Sequence, residues 1–323
     1  MTYDYSSIGF YTFDCLARPV TAIPPGGHTY FVEEITMAVS GAAGAAAVVA
    51  AKYGLSVLAV GGIGDDLMGK WVIERLGHFG IDTSMMQLCP GAGTSSSIVT
   101  TRPDGQRPAL HMRGATGAFE IAAADIDKVL DARIVHIGGT GLMNRMDGAP
   151  SFALMAEAKR RGCITTLDVF AADRKDMANV AGLLPNTDYF IPSIEEAQAL
   201  SGLSDKADIG KFFVDLGVGC IVMTMGADGA YYHHRDGSRF QMPAFGIDVV
   251  CTCGCGDAFN AGFATGLVKG MNPEDCVRLG QASSALNATG LGSQAGVTDF
   301  PAALDFIART QPKIAAPSIA RAV

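Results

Sequence analysis

Charge is scarce in this chain. Only 17% of its 323 residues are charged, and acids outnumber bases 32 to 24, giving a net charge of −8. Low charge beside 49% hydrophobic residues excludes a disordered chain and supplies a sizeable core. The shortage of bases argues against nucleic acid as the main partner. A small anionic ligand stays open, because backbone amides and a divalent cation act locally whatever the net charge. Long apolar runs are missing too. The longest, Ala42–Ala51, is about half a membrane span, so no membrane partner is expected. Met1–Ser7 has neither the basic stretch nor the apolar core of a signal peptide, and a soluble cytoplasmic protein is expected. Eight cysteines without such a signal read as reduced thiols rather than a disulfide frame. The six histidines are scattered, with no HExxH and no Ser/His/Asp pattern. A dinucleotide-dependent oxidoreductase is disfavoured, because no G-x-G-x-x-G turn follows the first strand with an acid ~20 residues on. Neither a solenoid repeat nor a low-complexity linker is found.

What is present is an alternation of short apolar strands with amphipathic helices, the pattern of βαβ units and a mostly parallel sheet in one α/β domain. Strands are expected at Ser56–Val60, Ile134–Ile137, Cys163–Leu167, Tyr189–Ile191 and Gly219–Thr224. Helices are expected at Gly44–Lys52, Leu67–His78, Ala122–Val129, Ala149–Lys159, Ile194–Leu200, Ile209–Leu216, Gly256–Lys269 and Pro273–Ala288. Two stretches, about 12–39 and 94–113, are rich in β-formers, Gly and Pro and lack a helical period, so they read as paired strands inserted into the α/β body. Tyr231–Gly237 reads as a hairpin arm and turn, with His233 and His234 facing solvent. The tail after Gln311 is expected to fray.

The chemistry concentrates in Gly254-Cys255-Gly256-Asp257-Ala258-Phe259-Asn260. Glycines let backbone N–H groups crowd toward one point, and a helix N-terminus behind them adds unpaired donors and a positive dipole end. An Asp at the mouth of such an anion site suits a base that deprotonates a nucleophile while the amides hold a transferring phosphoryl group. A tight turn capping a buried helix is the plainer reading. In Val222–Ala230 a strand ends in Thr224 and Gly226 and Gly229 flank a turn, where α/β proteins bind ligands or simply turn a hairpin. Ser193 and Glu196 have capping-box spacing; the functional alternative sets Glu196 near Mg2+ and phosphate. Gly64–Lys70 matches a Walker A pattern until Trp71 occupies the Ser/Thr position, and Asp65, Asp66, Leu67 and Met68 make a poor phosphate cradle. A turn capped by Asp65 or Asp66 is the better account. Cys251, Cys253 and Cys255 alternate and lack the knuckle spacing of structural zinc. Cys255, beside a helix N-terminus, is expected to be a reactive thiol.

Taken in order, these segments resemble the ribokinase/PfkB family of carbohydrate kinases from Ile8 to about Ile307. Cys251–Phe259 is similar to the family's D-T-T-G-A-G-D-A-F signature, Val222–Gly229 to V-T-x-G-x-x-G, and Pro192–Glu196 to N-x-x-E. Ser40–Ala45 and Gly61–Gly69 are similar to G-G-x-x-x-N and G-x-x-G-D-D-x-x-G. Ile8–Asp14 resembles the opening strand, and Gln281–Ser293 the nucleotide-side helix and loop. The resemblance implies a ribokinase-like, doubly wound, mostly parallel sheet flanked by helices, with a small β-sheet lid built from the two insertions. It implies ATP-dependent phosphorylation of a primary hydroxyl, with Asp257 as base and the amides of Gly254, Cys255 and Gly256 as anion hole. Thr224, Gly226, Gly229 and Gln281 would border ATP, and Glu196 would hold Mg2+ through water. Asp14, Gly41, Ala45 and Arg113 would face the substrate. A homodimer through the lid is implied.

The departures bear on the substrate. Cys251 stands where the signature Asp helps hold a monovalent cation, which weakens the case for K+. Ala45 replaces a sugar-binding Asn, and Asp168–Ala172 lacks the Asn and Arg of the family's D-P-N-x-R. Unpaired buried groups cost roughly 1–3 kcal/mol each, so the pocket is not a copy of a ribose or fructose site. Arg113 favours a sugar acid such as 2-keto-3-deoxygluconate if it clamps a carboxylate, whereas an apolar wall suits a nucleoside. A silent binding protein of the same fold is the rival from another class.

Overall fold

The alternating pattern resolves into two sheets in a computed structural model that describes residues 1–312. The strands are β1 (Tyr3–Gly9), β2 (Thr12–Arg18), β3 (Glu34–Ser40), β4 (Val57–Ile63), β5 (Asp82–Leu88), β6 (Ser96–Thr100), β7 (Ala109–Met112), β8 (Ala132–Thr140), β9 (Ile164–Val169), β10 (Tyr189–Phe190), β11 (Cys220–Thr224), β12 (Ala230–His234) and β13 (Arg239–Met242). The helices are α1 (Ala42–Lys52), α2 (Leu67–His78), α3 (Ile126–Val129), α4 (Ala149–Arg160), α5 (Met177–Val180), α6 (Ile194–Ser201), α7 (Lys206–Asp215), α8 (Cys255–Val268), α9 (Pro273–Ala288) and α10 (Phe300–Arg309).

The large sheet runs β13-β12-β11-β10-β9-β8-β1-β4-β5. From β11 to β5 every pairing is parallel, and β12 and β13 add an antiparallel hairpin at one edge. One face packs on α1 and α8, the other on α4, α6 and α7. This is the ribokinase-like α/β fold, with its small separate sheet. α1 is built from alanine, glycine and valine, so it lies close to the sheet and α8 and is buried from Ala43 to Ala50. The chain switches direction at β1, which pairs β4 on one side and β8 on the other. In such sheets ligands bind beyond the carboxyl ends of the strands flanking the switch. Here those ends bring Gly9 beside Gly61 and Gly138, and Gly138 beside Asp168.

The small sheet runs β3-β2-β6-β7 and draws only on residues from the two β-rich stretches. Its inner face sets Leu16, Ala38 and Val99 against Cys251, Cys253 and Leu291, over the loop that leads into α8. Its outer face leaves Ile35, Met37, Ile98 and Leu110 exposed. Asp66 caps α2, accepting from Gly69 N at 2.8 Å and from Thr94 N and Oγ1 at 2.7 Å, so this segment ties α2 to the small sheet rather than cradling phosphate.

α10 and β5 were not expected, and α7 starts three residues early because Asp205, not Ile209, opens it by capping Ala207 and Asp208. His233 and His234 do not sit in a solvent-facing turn. They end β12, and His233 is buried against α7 at Gly210. Pro312 bridges Phe245; the rest of the tail expected to fray lies outside the described residues. Among the described residues no helix is long and apolar enough to cross a membrane.

Candidate active site

Gly254 is the N-cap of α8 at φ 74°, a left-handed geometry that a side chain resists, and no side chain caps the helix. A Cβ there would lie 2.6 Å from Ser293 Oγ. The space in front of Gly256 in the first turn is open, since a Cβ there would meet nothing within 4 Å, while the Cys255 N–H donates to Thr252 O at 3.4 Å. Asp257 stands at that opening. It keeps some contact with solvent through the cleft, while protein surrounds its carboxyl on most sides. Burial raises its pKa to about 6, with Glu196 and Asp14 adding to the rise and Arg107 opposing it.

Two further acids complete the cluster. Asp168, at the carboxyl end of β9, is pushed well above the ordinary carboxylate range by burial, Asp257 and Glu196, against a hydrogen bond from Asn260. Burial also raises Glu196, against its bonds to Ser193. The capping box is real: Ser193 N and Oγ donate to Glu196 Oε2 at 2.9 and 2.7 Å, and Glu196 N donates to Ser193 Oγ at 3.2 Å. The cap does not exclude the cluster, because capping fixes the carboxylate that Asp168 feels. Thr224 lies beside it, bridging Ser193 and donating its N–H to Pro192 O at 3.0 Å. The three carboxyls repel one another when ionised, and among the described residues no group of three such side chains is placed to hold a metal directly, so a divalent ion beside them would be reached through water.

Other expected site residues are placed as follows. Gly226 (φ 53°) faces open space, whereas Gly229 (φ 93°) is a structural glycine whose Cβ would sit 1.9 Å from Met242 O. Gln281 is buried on α9 with Nε2 unpartnered. Gly41 caps α1 at φ 84° against Phe10 O, and Ala45 is buried within α1. Asp14 is not on the opening strand, which ends at Gly9; it sits on β2 of the small sheet, buried, accepting from Thr12 Oγ1 at 3.3 Å. Arg113 is exposed and donates to Asn144 Oδ1 at 2.7 Å. The reactive thiol expected at Cys255 is disfavoured by burial, which lifts its pKa to about 11 although Asn287 donates to its Sγ at 3.3 Å and pulls the other way. At position 251 a sulfur stands where the family's signature Asp offers carboxylate oxygens. Cys251 offers a thiol in an apolar cluster, and its Sγ already accepts from Cys253 N at 3.4 Å.

Sequence reasoning missed Asp168, Asn260, Asn287 and Arg107. Asn260 Nδ2 donates to Asp168 Oδ2 at 2.9 Å and to Gly256 O at 3.1 Å, tying the first turn of α8 to β9. Asn287 Nδ2 donates to Cys253 O at 2.7 Å. A polar residue inside an otherwise apolar helix face was the available signal for both asparagines. Arg107 lies on the β6–β7 turn, which docks beside the loop through Thr252 Oγ1 to Gly105 O at 3.3 Å. It has no ion-pair partner among the described residues.

This arrangement can be set beside known proteins. The chain is 27% identical over 278 residues to 2-dehydro-3-deoxygluconokinase of Thermoproteus tenax, covering 83% of this chain and 84% of that one. In structure it superposes on Arabidopsis thaliana ribokinase complexed with ribose and ATP with a TM-score of 0.81 at 22% identity, over 95% and 99% of the two chains. An E. coli protein described as ribokinase II, in complex with ATP and Mg2+, gives a TM-score of 0.81 at 20% identity over the same shares. The model for the pfkB family of carbohydrate kinases matches residues 12–299, and the chain belongs to that family.

Proposed function

We propose that this carbohydrate kinase transfers the terminal phosphoryl group of ATP to a primary hydroxyl of a sugar or sugar derivative, with Asp257 as general base. The observation that carries the reading is the pairing of an uncapped helix N-terminus, opening onto free space at Gly256, with a carboxylate of raised pKa in its first turn. Asp257 takes the hydroxyl proton as the oxygen attacks phosphorus, and ADP leaves. The amides of Gly254, Cys255 and Gly256 hold the phosphoryl oxygens. Thr224 and Gly226 border the nucleotide, with Gln281 on its far side. Glu196 and Asp168 would hold Mg2+ through water, and the ion would supply neutralisation of phosphate charge. The small sheet acts as a lid that excludes water. A homodimer through its exposed apolar face is part of this reading, and light scattering on the eluting species checks it.

Asp14 and Arg113 bear on the substrate. Asp14 is buried with no ion-pair partner among the described residues and suits hydroxyl donors of a neutral sugar. The sugar-acid alternative draws on Arg113 and on the name of the Thermoproteus relative. The test is substrate-dependent ADP release from Mg2+-ATP across pentoses, hexoses, keto-deoxy acids and nucleosides. A hit that vanishes in Asp257→Asn supports the kinase. Silence across the panel with ATP bound favours a non-catalytic binding protein, and a nucleoside-only hit favours the nucleoside kinase.

Two pH results are expected. The base must be ionised, so kcat/KM should rise with pH through about 6, the free-enzyme value of Asp257, and level off above it. Arg107 lowers that pKa, so Arg107→Ala should move the acid limb to higher pH. An unmoved limb in that variant would show that the guanidinium does not act on the base.

A further inference from the structure

We propose that Lys52, the last residue of α1, is a positioning residue for phosphoryl transfer: its side chain holds the loop after α9 that braces the anion hole. The inference rests on the kinase reading above.

Lys52 Nζ donates to Gln294 O at 3.0 Å and to Val297 O at 2.7 Å. Its Nζ lies over the Phe79 ring, 5.5 Å from the centroid. It makes no ion pair among the described residues, so its charge is spent on two carbonyls of one loop. Burial, aided by Arg75, lowers its pKa to about 8, which leaves it charged at neutral pH.

That loop is strained and wedged. Gln294 has φ 63°; among the described residues Asn144 is the other non-glycine at positive φ. Such a backbone persists only where its surroundings over-determine it. Gln294 is held from three sides. Its N–H donates to Asn287 Oδ1 at 2.5 Å, its Nε2 to Val39 O at 2.5 Å, and its carbonyl accepts from Lys52.

The loop then presses on the anion hole at two points. Ser293, bonded to Ser40 Oγ at 2.7 Å, occupies the space a Cβ on Gly254 would need. Asn287, oriented by the Gln294 N–H, donates to Cys253 O and Cys255 Sγ at 2.7 and 3.3 Å. Contacts therefore run without a gap from Lys52 through Gln294 to the Cys253–Cys255 turn. Lys52 and Gln294 are not among the residues assigned above to substrate or nucleotide. Releasing the loop should misplace the amides without emptying either binding site.

The test compares wild type with Lys52→Met and Lys52→Arg, reading kcat, both KM values and amide hydrogen exchange. For Lys52→Met, kcat should fall tenfold to about a hundredfold while both KM values stay within about twofold. Exchange should quicken at residues 253–257 as well as 292–297. Lys52→Arg should recover most of kcat, or added methylammonium should do so in Lys52→Ala. Should Lys52→Met fail to fold, Lys52→Gln, which keeps a donor but not the charge, takes its place. Unchanged kcat, quickened exchange confined to 292–297, or failure of both rescues would overturn the proposal. An inactive wild type would count against the kinase reading alone, and the exchange data would still decide the role of Lys52.

Discussion

Asp257→Asn is expected to lower turnover by at least about 10³-fold while ATP binds nearly as tightly as to wild type. Asn keeps the shape and the first-turn position of the side chain and cannot accept the proton. Stability should move the opposite way. The folded pKa of Asp257, about 6, lies above the ordinary value of about 4. Between those values the unfolded chain has lost its proton while the folded chain keeps it, so stability falls as pH rises through this window and the loss persists above it. Asn removes that cost, along with repulsion from Glu196, Asp168 and Asp14. The variant should therefore melt higher than wild type at pH 8 and match it near pH 3. Thermal melts at the two pH values, beside single-turnover kinetics, check both halves. Near-wild-type turnover would remove Asp257 from its proposed role. A lower melting point at pH 8 would mean that the carboxylate has a compensating partner.

How much of this was legible in the sequence depends on the range of the interaction. The cap at Asp66, the capping box at Ser193 and the α8 N-terminus each lie within a few consecutive residues and could be read directly. The assignment of the two β-rich stretches to one sheet was legible because they broke the helical period. Long-range partners were not. Asn260 meets Asp168 across 92 positions and Lys52 meets Gln294 across 242, and no local pattern encodes either. Local rules also misled where tertiary burial overrode them. Cys255 has the helix-terminal setting of a reactive thiol, but burial outweighs both the dipole and the Asn287 amide, which favour the thiolate. His233 has the neighbours of a turn residue, but it lies in β12 and α7 covers it at Gly210. Asp168 was seen as the remnant of a degraded motif. Its value lay in what the fold set beside it.

Gly254→Ala should be nearly as damaging as loss of the base, for a different reason. A non-glycine residue at φ 74° costs of order 1–3 kcal/mol in backbone strain. The new methyl would also lie 2.6 Å from Ser293 Oγ and 2.8 Å from its Cβ. Ser293 has no room to yield, since it is buried and bonded to Ser40, and its neighbour Gln294 is bonded on both backbone and side chain. The turn must therefore move, and the amides move with it. Removing one donor from an oxyanion-type site costs about 10²–10³-fold in turnover, and displacing the turn should reach that range. Gly256→Ala separates steric damage from ligand exclusion. A Cβ there meets no protein within 4 Å, and alanine in a helix is favoured over glycine by roughly 0.5–1 kcal/mol. That variant should be at least as stable as wild type. If the phosphoryl group occupies the space in front of Gly256, the variant should still lose activity, because the methyl fills that space. A Gly256→Ala enzyme with full turnover would place the transferring group elsewhere along α8. Melting and turnover measured on the pair thus test whether this helix terminus is the anion hole or only a well-built cap.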